Sequence, residues 1–131
     1  MIPNTRFIAV TLTIAAVSLG ALAGRSIAAD GHNDAIKQFM KTYHKAPKGV
    51  DPVCKKATDG KATPAELHHL VAGYKMMAAA KPPKGDETSW KEKTGSLLAA
   101  TQALETGAPA AAVNYKAAVN CKACHSAHKP D

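Results

Sequence analysis

The chain has 131 residues and a formal net charge of +7, a size that fits one globular domain with little to spare. Its basic residues are scattered and are not interleaved with aromatics, which make up 5% of the chain, so the charge does not form the stripe that nucleic-acid binding requires. Three cysteines are an odd number for a set of structural disulfides.

The first 29 residues read as an export signal. Met1 to Arg6 is short and positively charged, Phe7 to Gly24 carries no charge, and Arg25-Ser26-Ile27-Ala28-Ala29 offers small residues for cleavage after Ala28 or Ala29. The apolar run also borders the length needed to span a bilayer, so the alternative is an uncleaved anchor. Both place residues 30–131 outside the cytoplasm, with the periplasm as the expected compartment. Without Arg6 and Arg25 that part holds 15 Lys, no Arg and 10 acidic residues, a net charge of +5. Such a surface is either simply solvated or a docking face for an acidic partner.

From residue 30 onward the pattern is helical, with no sustained alternation of period two. Asn33 or Asp34 can cap a first helix with Ile36, Phe39, Met40 and Tyr43 on its apolar side, ending at Lys45-Ala46-Pro47-Lys48-Gly49. Asp51-Pro52 suits the start of a short helix that stops at Gly60. Thr63-Pro64-Ala65-Glu66 has the form of a capping box, followed by Leu67, Leu70, Val71, Tyr74 and Met77 at helical spacing. Lys81-Pro82-Pro83-Lys84-Gly85 ends that helix. Asp86 can cap the next, whose inner side would be Trp90, Thr94, Leu97, Leu98 and Leu104, up to Gly107. Pro109 suits the start of a last helix with Val113, Ala117, Cys121, Cys124 and His128 along one side. Four long helices with short connections predict an all-α fold, an antiparallel four-helix bundle with a short extra helix after the first. Its apolar content is thin, and a large apolar cofactor in the centre would make up the shortage.

Cys121-Lys122-Ala123-Cys124-His125 carries the chemistry. Two thiols three residues apart lie on one side of a helix and can add across the two vinyl groups of a haem, while the adjacent imidazole ligates the iron. A zinc site would need two further ligands at matched spacing, and a redox-active cysteine pair would need a βαβ context; neither is present, although His128 could join a weak metal cluster. Cys54 is then a spare thiol. One covalent haem c is expected, held by Cys121 and Cys124, with His125 as axial ligand.

Helices ending in this motif close to the C-terminus resemble the class II cytochromes c, the cytochrome c′ group, over about residues 36–129. The resemblance implies a proximal histidine at His125 and, in members with a sixth ligand, a methionine from the first helix. Lys37-Gln38-Phe39-Met40-Lys41 is similar to the segment bearing that methionine, though it lacks the arginine common there. The chain is also shorter than typical members and its first helix is interrupted near Pro47.

Met40 is therefore the candidate distal ligand. The alternatives are His44, expected at the surface, Cys54, and an open site. Leu70, Tyr74, Trp90 and Leu97 are expected to line the pocket. Met76 and Met77 read as core, and His32, His68 and His69 as surface.

A filled sixth position makes an electron carrier, the expected function. An open one makes a protein that binds small gases such as NO or CO. A peroxidase-like catalyst would need an acid–base residue over open iron, for which His44 stands alone, so no enzymatic activity is expected. Expected partners are redox proteins and, from the resemblance, a second copy or a related cytochrome; a membrane enters only if the signal segment is retained.

Overall fold

The computed structural model describes residues 28–131, so the charged start and apolar run expected to direct export lie outside the described residues. Every regular element among the described residues is helical: α1 (Ala28–Tyr43), α2 (Val53–Thr58), α3 (Pro64–Ala79), α4 (Glu87–Glu105), α5 (Ala111–Ala118) and α6 (Cys121–His128). Among them no helix is long and apolar enough to cross a membrane.

Local chemistry explains several boundaries. The Thr63 side chain accepts from the Glu66 amide at 3.2 Å, and the Glu66 carboxylate accepts from the Thr63 amide at 2.8 Å, the reciprocal capping expected there. Asp86 accepts from the Ser89 amide at 2.7 Å and starts α4. Three other boundaries differ from expectation. Helix α1 begins at Ala28, so Asn33 and Asp34 lie inside it rather than capping it. Pro52 occupies the cap of α2 with no side-chain bond, and Asp51 instead pairs with Lys55 at 3.2 Å. The last helix is two helices: the chain breaks at Val119-Asn120, and Asn120 restarts it by accepting from the Ala123 amide at 3.0 Å.

Helices α3 and α4 form the central antiparallel pair. The Trp90 indole donates to the carbonyls of Met77 and Ala80 at 3.0 and 2.9 Å, which closes the turn between them, and His68 meets Glu105 at the opposite end. Helix α1 packs on α3, where the Phe39 ring fills the space that a side chain at Gly73 would take. Helix α5 packs on α4 and α2, and α6 lies against α4.

The centre is filled by Leu70, Tyr74, Met77, Trp90 and Tyr115, all fully buried or nearly so. These few large side chains supply the core that the thin composition was expected to leave to a cofactor. On α5 the inward side is Ala111 and Tyr115, whereas Val113 is 70% exposed and Ala117 is also outside, so the side expected to be continuous with the cysteines faces solvent. The break at residues 119–120 accounts for this. It lets α5 and α6 present different faces to the rest of the fold.

Candidate haem attachment site

A cavity of about 160 Å³ opens beside the core, between the C-terminal half of α1 and the start of α6. Met40 and His44 come from the first side, Cys121, Cys124 and His125 from the other, and Met77, Lys93, Thr94 and Leu97 form the floor, with Val119 and Asn120 at the break. All four residues singled out from the haem motif and the preferred distal position, Met40, Cys121, Cys124 and His125, thus meet His44 at one cavity. They come from residues some eighty positions apart in the chain.

The cysteine side chains stand on one side of α6, one turn apart. Cys121 is exposed and Cys124 half-buried, and neither forms a disulfide. Burial raises the Cys124 thiol above its usual range, opposed by the Lys93 ammonium and assisted by Cys121, so it is a protonated thiol at neutral pH. His125 lies at the rim, exposed to solvent.

His44 departs from expectation. It is half-buried rather than on the surface, lying edge-on to Phe39 and Tyr74, and its Nε2 is 2.9 Å from the Tyr74 hydroxyl. Tyr74 in turn is 3.1 Å from the Tyr115 hydroxyl. From Tyr115 to Tyr74 to His44 each hydroxyl can donate to the next group, ending on a neutral imidazole. Burial, with His125 across the cavity contributing, lowers the His44 pKa from 6.5 to about 4, consistent with that neutral end. The same burial drives both tyrosines well above the usual phenol range.

The other expected residues fall elsewhere. Of the four proposed pocket liners Leu97 reaches the cavity, while Leu70 and Trp90 belong to the core and Tyr74 stands behind His44. Cys54 is buried on α2 and does not line the cavity; burial, then Cys121, raises its thiol. His128 is buried against Trp90 and bonds to Lys84 and Ser89, which removes it from any metal cluster with the cysteines. Among the described residues no group of three or more His, Cys, Asp or Glu is gathered as a metal cage. Lys93 was not singled out in the sequence, because one lysine among many gives no signal of where it points.

The donor set suits a covalently held haem: two unpaired thiols one turn apart, an imidazole beside them, a thioether opposite, and walls made largely of Met77, Leu97 and Val119. The free volume is smaller than the roughly 300–1,000 Å³ of pockets that enclose a ligand. As it stands the cavity would take in part of a tetrapyrrole, with the remainder at the open side where Cys121 and His125 are exposed. Comparison with protein-family models, with curated proteins and with solved structures finds no match to this chain.

Proposed function

We propose that this chain is an exported, periplasmic c-type cytochrome with one haem that carries electrons between other redox proteins. The observation that carries this reading is the meeting of Met40, Cys121, Cys124 and His125 around one cavity. In this reading α5 and α6 together serve as the fourth, broken member of a four-helix bundle.

Each residue has a task that follows from its position. The Cys121 and Cys124 S–H groups would hold the haem by adding across its two vinyl double bonds, each hydrogen passing to carbon, so anchoring would need no oxidant. His125 would offer its imidazole to the iron. Met40 would offer a thioether from the other side of the cavity, since its sulfur has no competing hydrogen bond, whereas the His44 Nε2 is already committed to Tyr74. Bound haem supplies the one-electron change, and the protein holds it, limits its contact with water and sets its potential. A thioether donor together with an imidazole would favour the ferrous state and raise that potential.

The experiment is an absorption series on the holoprotein and its Met40→Ala, His44→Ala and Cys54→Ala variants. A near-infrared band from iron–thioether charge transfer, lost in Met40→Ala alone, is the expected result. A high-spin parent that takes up carbon monoxide rapidly when reduced would replace the carrier with the gas-binding reading. Loss of low-spin character in His44→Ala or Cys54→Ala instead would move the ligand to that residue.

A further inference from the structure

His128 has no part in the site as described, yet it is the most thoroughly held side chain of α6. Its ring is 2% exposed, its Nδ1 lies 2.9 Å from the Lys84 carbonyl, its Nε2 lies 3.2 Å from the Ser89 hydroxyl, and the Trp90 ring meets it edge-on at 5.3 Å. A carbonyl can only accept, so Nδ1 carries the proton and Nε2 accepts from Ser89. The backbone closes in at the same place. Gly85, at φ +82°, leaves no room for a side chain against the Ala127 carbonyl. Beyond it, Lys84 pairs with Asp131 at 2.9 Å.

The opposite end of α6 has no such anchorage. Its start rests on the local Asn120 cap, with Cys121 exposed. Residues three and four apart are neighbours on a helix. His128 is therefore the next side chain along the face shared by His125 and Cys124, one turn closer to the turn between α3 and α4. Holding both nitrogens of that ring fixes the rotation of α6 about its axis, and so fixes where the cysteines and His125 point.

We propose that His128 is a positioning residue: its clasp on Lys84, Ser89 and Trp90 aims the attachment face of α6 into the cavity. This rests on the haem reading above for its consequence, though the clasp itself does not.

The test uses the full chain from a host able to mature c-type cytochromes, as His128→Phe, His128→Asn and Ser89→Ala proteins beside the parent. Phenylalanine fills the space without hydrogen bonds, and asparagine keeps a donor in reach of the Lys84 carbonyl. In the haem-free chain, amide exchange across residues 125–129 is expected to run about tenfold faster in His128→Phe and close to the parent rate in His128→Asn. In the holoprotein, ferric electron paramagnetic resonance should give one set of g values for parent and His128→Asn and a spread of them for His128→Phe, with a shifted reduction potential. Ser89→Ala, which loses one bond and keeps the fold, should fall between. Should His128→Phe not fold, Ser89→Ala and His128→Asn alone decide. Unchanged exchange in every folded variant overturns the clasp. Faster exchange with unchanged g values and potential overturns its role in aiming the iron ligand. A parent without any haem adduct overturns the cytochrome reading and leaves the exchange result to judge the clasp.

Discussion

The turn between α3 and α4 and the cavity beside it use similar residue types to opposite ends. At the turn, Trp90 and His128 are closed off from solvent, Ser89 is half-buried, and their side-chain polar atoms all have partners; among the described residues no buried side-chain nitrogen or oxygen lacks one. At the cavity, Cys121, Cys124 and His125 stand at an opening with largely apolar walls, exposed or half-exposed, the Cys121 thiol donating only to the nearby Val119 carbonyl at 3.7 Å. Groups that complete their bonding inside the protein stabilise it. Groups left incomplete beside an apolar surface are available to something else.

This contrast can be broken by substitution. The largest effect is expected at Trp90→Ala, which removes a fully buried ring and its two hydrogen bonds; chemical denaturation should show a loss of about 3–5 kcal/mol. Gly73→Ala comes next, because the new methyl group meets the Phe39 ring, for a loss of about 1–3 kcal/mol by the same measurement. Tyr74→Phe should cost roughly 1–2 kcal/mol, since it strands the hydroxyl of Tyr115 and the ring nitrogen of His44. At the cavity, Cys121→Ala and His125→Ala should leave the denaturation midpoint of the haem-free chain where it is. A large shift there would mean that these residues are structural after all.

Much of this fold was legible because its determinants are local. The Thr63 cap, the Asp86 cap and the proline pair after α3 each act within a few residues, and the structure follows them. The break before α6 was harder to see: residues 111–128 are rich in alanine, which favours helix throughout, and Asn120 alone argues for a fresh start. His44 was misread because its partner Tyr74 is thirty residues away and nothing next to it in the chain announces a buried position. Met40, Cys121, Cys124 and His125 were singled out from spacing and resemblance. That they share one cavity follows from how α1 packs on α3 and α6 on α4.

A smaller effect sharpens the comparison through pH. The His44 pKa falls from 6.5 to about 4 on folding, so between those values the unfolded chain binds a proton that the folded chain refuses. Stability from this group is complete above pH 6.5 and declines as the pH drops toward 4. The denaturation midpoint should follow that curve in the haem-free parent and flatten over that window in His44→Gln.

The central claim is covalent attachment at the first two reactive positions of α6, and mass spectrometry of protein matured in a competent host tests it most directly. One haem per chain is expected to survive acid–acetone extraction, carried on the peptide containing Cys121 and Cys124 and lost from the Cys121→Ala, Cys124→Ala double variant. A colourless product with both thiols free to alkylation, under conditions where a control cytochrome matures fully, would contradict it.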